Sequence, residues 1–191
     1  MKRIRVVVAL PLLAFTIGMS ACSDDVDPDQ ALKEGLAQQQ AGDLEAAAEQ
    51  YQMVLDVRPE DQYANYNMGV IEQADGRTAL AEGYYRAALG TAPEFVPALF
   101  NLAILRTKAG ATQEAIDLYE RVIVIQPEYA AAHLNLGLLY RDAGELKLAQ
   151  EHLNTAIDLD PSLADRITLD ENPSPAPPAS SSPKPSESAS P

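Results

Sequence analysis

Cysteine, tryptophan, histidine and basic residues are all scarce in this chain of 191 residues. It contains one cysteine, no tryptophan, two histidines, and 14 lysines and arginines against 28 acidic residues. A single cysteine excludes an internal disulfide and a metal cage built from cysteines. The formal charge of -14 would repel a phosphate backbone, so we do not expect nucleic acid as a partner.

The sequence also lacks the groupings of residues that carry catalysis. His133 and His152 lie in different predicted helices and have no cysteine partner. Zinc sites and nucleophilic triads need several convergent groups, and no glycine-rich phosphate loop occurs. We therefore expect a protein that is not an enzyme and that uses neither a metal nor another cofactor.

What the chain does have is abundant alanine, leucine, glutamate and glutamine. These side chains lose little rotamer freedom in a helix. Hydrophobic residues make up 47% of the sequence, which is enough for a core. The composition therefore favours an all-α fold.

Residues 1–21 have the pattern of an export signal. Three basic residues lie within the first five positions, and an apolar stretch follows from Val6 to Met19. This stretch is shorter than the ~20 residues of most membrane-spanning helices. Two small residues, Ser20 and Ala21, then precede Cys22.

The segment that ends at Cys22 resembles the lipobox of bacterial lipoproteins, although Met19 stands where leucine is usual. The resemblance implies that residues 1–21 are a lipoprotein signal peptide and that Cys22 carries acyl chains such as palmitate. Residues 22–27 would then be a short acidic tether, which spans at most ~20 Å. An ordinary signal peptide and an uncleaved anchor remain as alternatives.

A repeat of ~34 residues fills most of the remaining chain, and a fixed period of this length indicates stacked structural units. Three residue types recur four times in phase at this spacing: Pro59, Pro93, Pro127 and Pro161; Gly42, Gly76, Gly110 and Gly144; Ala47, Ala81, Ala115 and Ala149. Proline ends a helix, and glycine allows the positive φ that a tight turn between helices needs. The spacing therefore predicts that each unit forms a helical hairpin. The units are 28–61, 62–95, 96–129 and 130–163.

Further series predict how each hairpin packs and where its second helix begins. Small residues recur in the first helix, at Gly35, Gly69, Ala103 and Gly137, and large ones recur in the second, at Tyr51, Tyr85, Tyr119 and Leu153. Glycine costs ~1 kcal/mol relative to alanine inside a helix, so its presence there indicates close packing. Asp43, Thr78 and Thr112 stand where they could cap the second helix.

This combination resembles the tetratricopeptide repeat (TPR) family. The resemblance covers residues 28–163 and implies a right-handed α-solenoid of four hairpins with a concave groove that binds proteins or peptides. The aromatic residue that the family has at the fourth position is missing here, where Ala31, Asn65, Leu99 and His133 stand instead.

By the same resemblance, one stripe of each first helix faces the groove. The candidate peptide-binding residues are Tyr63, Tyr66, Asn67, Phe100, Asn101, Ile104, Leu134, Asn135, Leu138 and Arg141. The three asparagines, each one repeat length from the next, could hydrogen-bond the backbone of an extended peptide, or they could simply be common residues of the family. Tyr66 and Phe100 are either binding anchors or packing residues between neighbouring helices.

The C-terminal residues 164–191 are rich in serine and proline and are predicted to form a disordered tail. Without a long solvating helix, the last repeat either stays partly exposed or pairs with a second copy. We expect a membrane-anchored scaffold of the bacterial cell envelope that binds a protein or peptide partner. The alternatives are a self-associating structural module, such as a homodimer, and a secreted soluble binding protein.

Overall fold

The computed structural model describes residues 27–164 and Ile167. Eight α-helices make up this part of the chain: α1 Pro28–Ala41, α2 Leu44–Val57, α3 Gln62–Ala74, α4 Thr78–Thr91, α5 Val96–Lys108, α6 Thr112–Ile125, α7 Ala130–Asp142 and α8 Leu146–Leu159. A 3₁₀ turn, Pro161–Leu163, follows. The predicted signal peptide, Cys22, the tether before Asp27 and nearly all of the tail lie outside the described residues.

The helices pair into four consecutive hairpins, and this confirms the predicted all-α solenoid. The two helices of each hairpin pack on one another, and the second helix of each hairpin packs on the first helix of the next. The glycines that end the first helices all have positive φ, between 73° and 83°. This left-handed conformation is costly for other residues, which explains why glycine recurs in each of these turns.

Small residues at the helix crossings bring the two backbones of a hairpin close together. A Cβ built on Gly69 would lie 2.6 Å from Cε1 of Tyr85, and one on Gly137 would lie 2.8 Å from Cγ of Leu153. Real Cβ atoms do not approach so closely. The side chain from the second helix therefore occupies the space that a larger residue in the first helix would need.

The helix caps differ in part from the prediction. Asp43 caps α2 by accepting a hydrogen bond from the backbone amide of Ala46. Thr78 and Thr112, however, are the first helical residues of α4 and α6, and the residues before them make no side-chain cap hydrogen bond. The prediction failed there because a cap depends on the turn geometry of a single residue, which the repeat spacing does not resolve.

A final apolar cluster closes the solenoid at its C-terminal end. Leu134, Leu153, Leu163 and Ile167 pack together, and Ile167 is only 5% exposed. Ile167, which lies within the segment predicted to be a tail, is therefore part of this cluster. Within the described residues, no helix is long and apolar enough to cross a membrane.

Candidate peptide-binding groove

The predicted groove residues lie on the first helices α3, α5 and α7, but they differ in accessibility. Tyr63 is half exposed, and Asn67 and Leu134 are buried. The others are partly exposed: Tyr66, Phe100, Asn101, Ile104, Asn135, Leu138 and Arg141. The accessible part of the stripe is therefore narrower than the sequence predicts.

Tyr66 is held between two rings of its own repeat. Its ring centroid lies 5.9 Å from that of Tyr85 and 5.3 Å from that of Phe95, with an edge-on geometry toward Phe95. Edge-to-face contacts of this kind stabilise aromatic pairs. Much of the Tyr66 ring is thus used in packing within the domain.

Phe100 repeats the same arrangement one unit later. Its centroid lies 5.7 Å from that of Tyr119 and 4.9 Å from that of Tyr129. The fourth unit has leucines at the corresponding positions, which are Leu134, Leu153 and Leu163. Leu134 is buried because Leu153, Leu163 and Ile167 belong to the same cluster, so the sequence missed a contact made from beyond the last repeat.

Two of the three asparagines in the series, Asn67 and Asn101, donate internal hydrogen bonds. Asn67 donates from Nδ2 to the carbonyl oxygen of Tyr63 at 2.9 Å, inside its own helix. Asn101 donates from Nδ2 to the Tyr85 hydroxyl at 3.3 Å, which links repeat three to repeat two. These donors are therefore satisfied without a ligand, and each amide retains its carbonyl oxygen as an acceptor.

A second polar series, which the sequence argument overlooked, lies beside the asparagines. The hydroxyl of Tyr51 donates to Oε1 of Gln39 at 2.6 Å, and that of Tyr85 donates to Oε1 of Gln73 at 2.9 Å. Gln39 and Gln73 are separated by one repeat length. That spacing was the signal that could have revealed the pair.

Burial keeps these hydroxyls protonated and able to donate. It raises the pKa of Tyr51 to about 12, and it also raises the pKa of Tyr85 and of Tyr119. The glutamine is already replaced by Thr107 in the third unit, and in the fourth unit Arg141 and Leu153 replace the glutamine and the tyrosine. Nη1 of Arg141 is buried and has no hydrogen-bond partner among the described atoms.

A cavity of about 350 Å³ opens between α5 and α7. Phe100, Ile104, Tyr119 and Leu134 form its apolar wall, and Lys108 and Asn135 supply polar groups. Within the part of the chain that the structure describes, no acidic side chain lines it. Of the predicted groove residues, the structure therefore gathers Phe100, Ile104, Leu134 and Asn135 around one site.

Three tetratricopeptide repeat models match the sequence, over residues 32–94, 105–141 and 130–163. Together these matches cover well over half of the chain. The chain belongs to the tetratricopeptide repeat family. As a TPR protein with a solenoid of four hairpins, it is a protein-interaction scaffold.

Solved structures of MamA share the fold of this TPR protein. A crystal structure of MamA is 21% identical over 74% of this chain and 83% of that chain, with a TM-score of 0.66. MamA from residue 41 to its end, from Desulfovibrio magneticus RS-1, is 24% identical over 72% and 78%, with a TM-score of 0.62. A comparison with curated proteins found no match.

Proposed function

We propose that this TPR protein is a lipid-anchored scaffold of the bacterial cell envelope. It binds an extended peptide, or an extended segment of a partner protein, along α3, α5 and α7. In this way it helps to assemble complexes at the membrane surface. The observation that carries the proposal is the partly exposed aromatic and apolar surface on these helices, with its cavity between α5 and α7.

The charge distribution supports this surface as the binding face. Helices α3, α5 and α7 contain two carboxylates, Glu72 and Asp142, and both form salt bridges with arginine. Helices α4, α6 and α8 contain six carboxylates. A partner segment with acidic residues would therefore meet less repulsion on α3, α5 and α7 than on α4, α6 and α8.

Membrane attachment is proposed from the N-terminal sequence. The basic start, the apolar stretch and the small residues before Cys22 together support lipidation there. Acyl chains contribute ~0.8 kcal/mol per buried methylene. An anchor of this kind is needed because an acidic chain gains nothing from anionic lipid headgroups.

Self-association is a second candidate, supported by exposed leucines on the last helix. Leu148 and Leu159 are separated by about three helical turns, so they lie on the same face of α8. Both are partly exposed, at 38% each. A second copy could cover this face in a homodimer.

Site-specific photo-crosslinking in the membranes of the native bacterium tests the main proposal. Benzoylphenylalanine replaces either Tyr63 on α3 or Leu80 on α4, which are 50% and 53% exposed. These two positions are matched in exposure but lie on first and second helices respectively. We expect a discrete adduct from position 63 and none from position 80.

Three other results of this experiment are decisive. Equal adducts from both positions would contradict the first helices as the binding face. An adduct at twice the mass of the chain would favour self-association instead. In a parallel arm, Cys22→Ala should move the protein out of the membrane fraction, and retention of that variant would contradict lipid anchoring.

A further inference from the structure

The cavity between α5 and α7 lies where the polar contacts of the first two repeats change. In the first two repeats a tyrosine hydroxyl bonds a glutamine, and the asparagine of the third repeat joins the second pair. In repeat three, which supplies Thr107 and Tyr119 to the cavity lining, Thr107 takes the place of the glutamine, and in repeat four Arg141 and Leu153 replace both residues. The tyrosine–glutamine hydrogen bond of the first two repeats therefore has no counterpart at the third repeat, where the cavity lies.

Lys108 gives this end of the groove a free positive charge. It is exposed at the end of α5 and lines the cavity. Arg106, two residues earlier, forms salt bridges with Glu82 and Glu114. Lys108 enters no salt bridge within residues 27–164, although the whole chain has twice as many acidic as basic residues.

The size and lining of the cavity limit what it can hold. Its volume of about 350 Å³ is at the low end of the ~300–1,000 Å³ of small-molecule sites. Its apolar walls are the rings of Phe100 and Tyr119, the sec-butyl group of Ile104 and the isobutyl group of Leu134. Polar groups come from Thr107, Lys108 and Asn135. These features suit a single apolar side chain whose backbone reaches the polar groups.

We propose that this cavity is a specificity subsite for a peptide segment in which an apolar residue is followed or preceded by a carboxylate. The inference rests on the proposed function and names the partner chemistry of that same groove. The apolar side chain enters between Phe100 and Ile104 of α5 and Leu134 of α7. The carboxylate pairs with the ammonium group of Lys108, and the peptide backbone donates to the carbonyl oxygen of Asn135.

The carboxylate requirement follows from electrostatics. A cation beside an apolar surface attracts an anionic ligand more strongly than a cation surrounded by water, because the local dielectric constant is lower. A lysine residue in the same peptide position would meet Lys108 and be repelled. The subsite therefore selects acidic over basic segments, which the rest of this acidic protein does not do.

A defined peptide set tests the subsite with the full-length chain. Fluorescein-labelled nonapeptides carry a central Leu, Phe or Ser flanked by Asp, Asn or Lys, and fluorescence anisotropy measures their affinity. We expect Leu-Asp or Phe-Asp peptides to bind at least tenfold more tightly than their lysine counterparts. Exchanging leucine for serine should also cost at least tenfold.

Two matched pairs of variants localise the effect. Lys108→Glu should weaken binding of the Leu-Asp peptide at least tenfold and strengthen binding of the Leu-Lys peptide. Lys147→Glu, the same charge reversal on α8, should change either affinity by less than twofold. Ile104→Ala should weaken binding more than Val70→Ala, which alters the equivalent position one repeat earlier. Circular dichroism checks that each variant stays helical.

The outcomes separate failure of the subsite from failure of the groove. If the peptides bind Lys108→Glu and Ile104→Ala with unchanged affinity, the subsite is overturned, but the groove can still be the binding site. Failure of every peptide to bind would overturn the subsite, while an adduct from position 63 in native membranes would still uphold the proposed function. If no peptide binds and position 63 gives no adduct, both proposals are overturned.

Discussion

The tyrosine in the middle of the second helix stabilises a hairpin in two separate ways. The ring of Tyr85 packs over the backbone of Gly69, so that a Cβ there would lie 2.6 Å from Cε1 of the tyrosine. Its hydroxyl donates to Gln73 and accepts from Asn101. One residue thus closes its own hairpin and connects it to the next repeat.

Substitution of the packing glycine tests the first of these roles. Gly69→Ala removes backbone entropy from the unfolded chain, which alone would stabilise, but its methyl group would collide with Tyr85. We expect a net loss of ~1–3 kcal/mol in the free energy of unfolding by urea. Gly83→Ala is the control, since no atom lies within 4 Å of its Cβ position in α4, and it should gain ~0.5–1 kcal/mol. Equal effects of the two substitutions would refute the packing argument.

How much the sequence predicts is clearest at these residues. The spacing of glycine, alanine and proline specified the hairpins and their crossing points, because those depend only on side-chain size and backbone freedom. The burial of Asn67 and the failure of Thr78 to cap α4 could not be predicted. Both depend on local hydrogen-bond geometry, which leaves no periodic trace in the sequence.

Helices α7 and α8 carry an unusual polar contact between them. Nδ1 of His133 lies 3.1 Å from Nδ1 of His152, and Nε2 of His133 lies 3.0 Å from the carbonyl oxygen of Pro127. Since a carbonyl oxygen only accepts, His133 donates from Nε2, and its Nδ1 accepts from His152. The pair is compatible with two neutral rings, whereas double protonation would bring two N–H groups together.

This contact makes the last repeat sensitive to pH. Burial, with a smaller effect from His133, lowers the pKa of His152 below its usual value of 6.5, despite the opposing charges of Glu151 and Glu120. The ring of Tyr140 stacks on His152 from the same hairpin. The unfolded chain therefore binds more protons than the folded chain once the pH falls below about 6.5.

We expect the domain to lose stability as the pH falls from 7 to 5. His152→Leu, which introduces the residue found at this position in repeat three, should flatten that slope. Urea unfolding at half-unit steps of pH measures the effect, with stability above pH 7 as the reference. Wild-type and variant slopes that coincide would show that other groups control stability in this range.

At the scale of the whole molecule, the first and last hairpins of the described solenoid are covered differently. The N-terminal hairpin begins with the polar helix α1, which Asp27 caps and Pro28 opens. The C-terminal hairpin is instead covered by the 3₁₀ turn and Ile167, which pack on Leu134 and Leu153. A C-terminal cover this short has too few residues to show a helical period in the sequence.

Because each hairpin contacts only its neighbours, damage at one end of a solenoid should stay local. Leu163→Asp places a charge in the final apolar cluster and should destabilise repeat four by ~3 kcal/mol or more. Hydrogen exchange should then show lost amide protection in α7 and α8, while protection in α3 to α6 persists. Leu146→Asp makes the same change at an exposed position of α8 and should leave protection unchanged. Uniform loss of protection along all eight helices in Leu163→Asp would mean that the solenoid unfolds as one cooperative unit, and that its C-terminal cover supports the distant binding face as well.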